Sequence, residues 1–472
     1  MLFNKIEFAF FFSTVFLLYW YVFNKQLKRQ NQFLLLVSLF FFGCFDWRFL
    51  GLLSFSIVLD FTIAHKIFNS ANHKKTWLWI SIIANLCFLG FFKYFNFFLD
   101  SFTDLTSLLG FMSNTWSLKI ILPVGISFYT FHGLSYVIDV YNSKIKPVKS
   151  LTDYSLFVSF FPLLVAGPIE RATHLLPQIQ KKRNFDYTKS VDGLRQILWG
   201  LVKKIVIADN CAFYVNEVFE NPSDFSGSSL VVAAILFSFQ IYGDFSGYSD
   251  IALGTARLLG FELLQNFSFP YFSRNIAEFW RRWHISLSSW FRDYVYIPLG
   301  GSKGSKYQSI RNVFIIFLLS GFWHGANWTF LFWGLLHALY FIPLLITNKN
   351  RNFLSFSDNT TFKSLLQITI TFSLVTFAWI FFRAESLTAA WNYITLLFSS
   401  SLFSVPEIFP KTVIGYIVLF IMIEWFGRNN AYAIEKFVFG WKRIYRISFY
   451  SLIALIILYY YGKDFEFIYF QF

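Results

Sequence analysis

Two histidines stand where plain membrane-helix sequence would not place them. His324 lies in GFWHGANW, directly after Trp323 and between Gly321 and Gly325, inside an otherwise apolar run. The glycines allow close approach of backbone or substrate and permit a break in a helix. A neutral imidazole has a pKa near neutrality that burial lowers further, so it can take a proton from a hydroxyl. Asn327 could donate a hydrogen bond to a carbonyl. From these residues alone, a general base and a structural interior histidine fit equally well. His284 lies in FWRRWHISLSSWFRD, where Arg281, Arg282 and Arg292 would attract phosphates or a carboxylate. Glu278 can pair with Arg281 or Arg282 at helical spacing. A cytoplasmic helix pinned to headgroups by arginine and tryptophan accounts for the same residues.

A third polar group is QIYGDFSGYSD, which sets Gln240, Asp244, Tyr248 and Asp250 at the end of an apolar run. Acids there are costly unless paired, and the arginines at 274–292 are the expected partners. The remaining histidines are ordinary. His65 and His73 sit near a helix end, His174 lies in a basic, solvated loop, and His132 and His337 read as satisfied interior residues. Cys44, Cys87 and Cys211 are far apart in apolar contexts and make no metal or redox spacing. The chain carries no phosphate-cradling loop and no HExxH. Histidine, a polar network and apolar surroundings fit proton abstraction from a hydroxyl better than ATP or metal chemistry.

The elements that must position these groups are membrane helices. The chain has 472 residues, 56% of them hydrophobic and only 14% charged, with mean hydropathy +0.51. Soluble domains carry about 25% charged residues. Repeated apolar runs near the length of a bilayer span make this an all-α polytopic membrane protein, read as one membrane domain over residues 1–472. The net charge of +14 falls mostly in short loops between apolar runs. It therefore sets topology and faces anionic lipid, and implies no nucleic acid.

Charge places loops 24–32, 142–150 and 171–190 on the cytoplasmic side, with both termini outside. Asp46, Trp47 and Arg48 break the runs 33–45 and 49–67 into a hairpin. Residues 153–166 are short enough to be re-entrant. Steps of three and four residues from Ile276 to Phe291 predict one amphipathic helix at the interface, ended by the turn Pro298-Leu299-Gly300-Gly301. In all, about 11–13 membrane helices are expected, with re-entrant and interfacial segments besides.

The blocks LPVGISFYTFHGLSYVIDVY, FVSFFPLLVAGPIER, GLVKKIVIADN, QIYGDFSGYSDIALGTARLLGF, NFSFPYFSRNIAEFWRRWHISLSSWFRDYVYIPLGG, SGFWHGANWTFLFWGLLHA and FAWIFFRAESLTAA closely resemble the membrane-bound O-acyltransferase family, most of all its alginate O-acetyltransferase membrane subunits. They run in the family's order over about residues 120–390, flanked by N-terminal helices in 1–119 and C-terminal helices in 391–472. The resemblance implies a ring of helices around a central tunnel. It maps the family's catalytic histidine onto His324 and the second family histidine onto His284, and implies no bound cofactor.

By that resemblance, acetyl-CoA or another acyl thioester is the co-substrate and presents its acyl group from the cytoplasm. His324 activates an acceptor hydroxyl, and His284 binds or polarises the carbonyl. Trp323, Asn327, Arg281, Arg282, Arg292, Asp244 and Tyr248 are the expected substrate-binding residues. The acyl group would pass to a separate extracytoplasmic acetyltransferase-like partner that modifies an exported polysaccharide, which places the chain in the bacterial cytoplasmic (inner) membrane. D-alanyl transfer to teichoic acid, or acylation of lipid or protein, keeps the family and changes the cargo. A transporter would show inverted repeats, and none is visible in the sequence.

Overall fold

The computed structural model describes residues 1–110, 118, 120–165, 167–354, 361–462, 465, 467 and 468. All regular structure among them is helical. Among the described residues, six helical stretches are long and apolar enough to cross a membrane: Leu27–Asn69, Lys74–Leu108, Gly227–Leu258, Trp328–Ile346, Phe362–Arg383 and Arg443–Tyr460. The first has 43 residues, and one crossing needs only about 20. A short turn, Trp47–Phe49, divides it where the charged triplet predicts. There the Asp46 carboxylate accepts from the Arg48 backbone N–H at 3.0 Å. The segment read as re-entrant is two short helices, Leu151–Ser159 and Phe161–Leu164, broken at Phe160 and buried.

The chain forms two compact units, Met1–Asp186 with Ala256–Leu263, and Tyr187–Thr255 with Leu264–Phe472. In the first unit His132 is an interior residue whose Nε2 accepts from the Glu170 backbone N–H at 3.1 Å. His174 is less solvated than its basic loop suggests. Its Nδ1 lies 2.7 Å from Glu170 Oε2, and that carboxylate holds the imidazolium above its ordinary pKa.

The second unit holds both unusual histidines, and two glycine seams position them. Gly200, Gly243 and Gly247 bring helix Gly227–Leu258 against helix Tyr187–Leu201 and the π-helical turn Val202–Ala208. A Cβ on Gly247 would lie 2.7 Å from the Gly200 carbonyl oxygen, and one on Gly200 2.6 Å from that of Gly247. Small residues let backbones approach where lipid gives no hydrophobic drive to associate. The second seam joins helices Lys306–His324 and Trp328–Ile346. Gly321 faces the Phe330 carbonyl and Gly334 that of Phe317, with Cβ positions 2.2 and 2.3 Å away. Of the two glycines flanking His324, Gly321 is thus approached by backbone, and Gly325 by the Phe330 ring.

Candidate active site

His324 is the last residue of helix Lys306–His324. The helix begins with a reciprocal cap between Ser305 and Gln308 and ends because Gly325 is extended, at φ −165° and ψ 157°. His324 is 3% exposed. Its ring is enclosed by Trp323 at 4.9 Å, Trp333 at 5.2 Å and Phe382 at 5.2 Å between centroids. The His284 ring centroid is 6.4 Å away. Residues forty positions apart in sequence therefore share one aromatic chamber.

His284 reaches that chamber through a backbone break. The single amphipathic helix expected over 276–291 is two helices, Ile276–Arg282 and Ile285–Phe291, with His284 between them at φ 45° and ψ 53°. Left-handed backbone costs a non-glycine residue about 1–2 kcal/mol. Periodicity could not reveal the break, because the apolar spacing continues across it. The turn at Gly300 and Gly301 is as expected, with φ of 98° and 57°.

Asn266 fixes the chemistry of the His284 ring. Its Oδ1 accepts from Ser286 Oγ at 2.9 Å and from the Ser286 backbone N–H at 3.4 Å. A backbone N–H can only donate, so this end of the amide is the oxygen. His284 Nδ1 lies 3.0 Å from the same Oδ1 and must therefore carry the proton. The lone pair is left on Nε2, a buried atom with no hydrogen-bond partner among the described residues. Burial pushes the imidazolium pKa down to about 3, so the ring is neutral. A neutral ring in this tautomer accepts at Nε2 and cannot donate to a carbonyl there.

A cavity of about 550 Å³ opens beside the chamber. Arg281, Arg292 and Arg351 line it with Trp280, Tyr296 and Phe317, and no carboxylate does so among the described residues. Its wall includes Ser320, one helical turn before His324. Between the cavity and His324 stand Trp280 and Trp333, 5.7 Å apart between ring centroids. The Trp280 indole N–H donates to Nδ1 of the fully buried His337 at 3.2 Å, so His337 orients this tryptophan.

The other residues singled out in the sequence have structural partners. Asn327 caps helix Trp328–Ile346, accepting from Thr329 N–H and donating to the Glu385 carbonyl at 2.8 Å. Trp323 packs on both histidines. Arg281 donates to the carbonyls of Asn350 and Asn352 at 2.8 and 2.7 Å, which ties the loop bearing Arg351 to the cavity rim. Arg282 and Arg274 share Glu278. Arg292 pairs with Asp293 at 2.8 Å and stays exposed. Tyr248 is fully buried, its ring 4.3 Å from that of Phe467.

Asp244 and Asp250 do not meet the arginines at 274–292. Their partners are Lys203 and Lys204, which the π-helical turn presents across the glycine seam. Lys204 Nζ lies 2.7 Å from Asp244 and 2.8 Å from Asp209. Lys203 lies 2.9 Å from Asp250 and 3.4 Å from Glu424, whose carboxylate also accepts from Tyr242. Two adjacent lysines inside an apolar run were the available signal. Removing one partner of a buried ion pair costs about 3–5 kcal/mol. Lys203→Met is therefore expected to lower the unfolding temperature in detergent sharply, and adding Glu424→Gln should recover part of the loss. A wild-type melting temperature in the single variant would contradict this pairing.

Comparison with known proteins identifies the family. Residues 126–384 match the model of MBOAT, the membrane-bound O-acyltransferase family. The chain is 36% identical to the probable alginate O-acetylase AlgI of Pseudomonas aeruginosa, over 92% of this chain and 82% of that protein. It is 37% identical to the peptidoglycan O-acetyltransferase of Helicobacter pylori, over 83% of this chain and 78% of that one. Similarity to the teichoic acid D-alanyltransferase of Bacillus subtilis is 30% over 56% of this chain and 69% of that protein. A buried histidine pair at a helix end, apolar spans and a match of this extent lead to one assignment: the chain belongs to the membrane-bound O-acyltransferase family and is a multi-pass membrane O-acyltransferase.

Proposed function

We propose that the protein takes an acyl group, acetyl in the first instance, from a cytoplasmic thioester and delivers it for O-acetylation of an exported polysaccharide. The observation that carries this reading is the arginine-rimmed, apolar-walled cavity that stops one helical turn short of His324. Its rim suits phosphates and its walls suit the apolar arm of acetyl-CoA or a related phosphopantetheine thioester. The arginines and the basic loop at the rim support a cytoplasmic face for it, in a bacterial inner membrane on this reading.

The reaction needs one proton transfer. His324 takes the proton of an acceptor hydroxyl as its oxygen attacks the thioester carbonyl. The carbon–sulfur bond then breaks, and the thiolate leaves with the proton returned from His324. His284 Nε2 accepts a hydrogen bond and holds the hydroxyl or His324 itself in register. Polarising the carbonyl, the other role considered for His284, does not suit its tautomer. The alginate and peptidoglycan acetylases among the relatives support an acetyl group and a polymer acceptor. A separate extracytoplasmic partner would carry the group to that acceptor. The D-alanyltransferase similarity covers less of the chain, which makes D-alanyl transfer the second reading.

Purified protein supplied with labelled acetyl-CoA and labelled D-alanyl thioester tests the donor directly. Consumption of the acetyl donor is expected, and exclusive use of the D-alanyl donor would overturn the acetyl assignment. In the same assay, Arg292→Glu with Arg351→Glu should raise KM for the donor about 10- to 100-fold while kcat changes little, since these residues touch phosphate and not the reacting carbon. An unchanged KM would remove the cavity from donor binding.

A further inference from the structure

The first unit contains a buried cation with no carboxylate hydrogen-bonded to it among the described residues. Arg183 is 6% exposed. Its guanidinium donates to Gln30 Oε1 at 3.1 Å, Asn31 Oδ1 at 2.5 Å, and the carbonyls of Ile179 and Gln178 at 3.2 and 3.3 Å. Every one of these acceptors is neutral. The carboxylate nearest in the network, Asp153, bonds to Asn31 Nδ2 instead. Nε of Arg183 is buried with no hydrogen-bond partner among the described residues. Buried charges are normally paired, because the cost of desolvating a lone ion is several kcal/mol.

Arg183 lines a cavity of about 460 Å³ formed with Lys25, Lys182, Asn24, Trp20 and Phe185. No carboxylate lines it among the described residues. Lys25 and Lys182 come from the two loops whose charge places them on the cytoplasmic side. The apolar wall is an aromatic ladder, with Phe185 edge-on to Trp20 at 5.6 Å and to Phe16 at 6.1 Å. It continues onto helix Ile6–Leu17 and the π-helical turn Leu18–Val22, whose Phe10, Leu17, Tyr21 and Val22 are exposed. Three cations at the headgroup end and an exposed apolar flank make an amphipathic receptor.

We infer that this cavity binds the phosphate headgroup of an anionic phospholipid of the cytoplasmic leaflet, with one acyl chain laid along the aromatic ladder. The lipid phosphate supplies the anion that Arg183 lacks, and Lys25 and Lys182 close over it. Phosphate-only recognition would not use the ladder, and a neutral lipid would leave Arg183 uncompensated. This site is independent of the histidine chamber and of the donor cavity.

The test is native mass spectrometry of the full-length protein, titrated in neutral detergent with phosphatidylglycerol, phosphatidylcholine and inorganic phosphate. Lys25 and Lys182 are exposed, so Lys25→Ala with Lys182→Ala should fold. The wild type should retain one phosphatidylglycerol in clear preference to phosphatidylcholine. The double alanine variant should lose about 25-fold of that preference, about fivefold per lysine. Lys25→Arg with Lys182→Arg should keep it. Equal retention of phosphatidylcholine, an undiminished preference in the alanine variant, or displacement of the lipid by inorganic phosphate would each overturn the proposal.

Discussion

His324→Gln is expected to lower acyl transfer by about 100- to 10,000-fold, the range spanned by positioned general bases, while the protein still inserts and elutes as a folded species. Glutamine keeps most of the ring's volume, so the aromatic chamber is not emptied, but it has no basic nitrogen. A structural interior histidine predicts the reverse pattern, with lost stability and a nearly intact rate. Labelled acyl transfer in proteoliposomes, with thermal unfolding measured on the same preparations, separates the two. A wild-type rate would remove His324 from the chemistry.

The second large effect concerns a residue that touches no substrate. Asn266→Ala deprives His284 Nδ1 of its acceptor and lets the proton move to Nε2. Transfer should fall about 10- to 100-fold, as when the partner that orients a functional histidine is lost. Asn266→Asp is the informative companion. Its carboxylate keeps accepting from Nδ1–H, so activity at high pH should be largely retained. The new negative charge also favours the imidazolium, which raises a pKa that burial otherwise holds at about 3. Protonated Nε2 cannot accept, so activity is lost as pH falls through the raised value, and the acid limb of the pH–rate profile moves toward neutral. A purely structural role for Asn266 would leave that limb in place. Failure here with His324→Gln still inactive would exclude the His284 tautomer while sparing the general base.

Much of this site is visible in the one-dimensional sequence, for a physical reason. Buried histidines, glycines and arginines in an apolar chain are costly, and cost marks them. GFWHGANW announces both the end of a helix and a buried imidazole, and both are present. Partnerships formed across the fold are not visible in the same way. Asn266 lies eighteen residues before His284, and nothing in NFSFPYFS distinguishes it from a turn asparagine. The acids of QIYGDFSGYSD invite pairing with arginines close in sequence. The glycines of the same block, at 243 and 247, instead draw in the lysine pair at 203 and 204. Helix spacing from Ile276 to Phe291 is real but blind to a backbone that turns left-handed at one residue. Asn327 and Arg282 show the converse, side chains suited to a ligand that the protein itself also engages.

The ring of Trp323, Trp333 and Phe382 around His324 bears on the fate of the activated acyl group. Water is the commonest competing nucleophile for a thioester, and a base able to activate a sugar hydroxyl can activate water as well. Walls of indole and phenyl offer water few hydrogen bonds, so hydrolysis is starved of its reactant even with the base in place. On the proposed chemistry, the chamber couples donor consumption to delivery. An enzyme built this way can hold a cell's activated acyl donor at rest, without draining it, until an acceptor arrives.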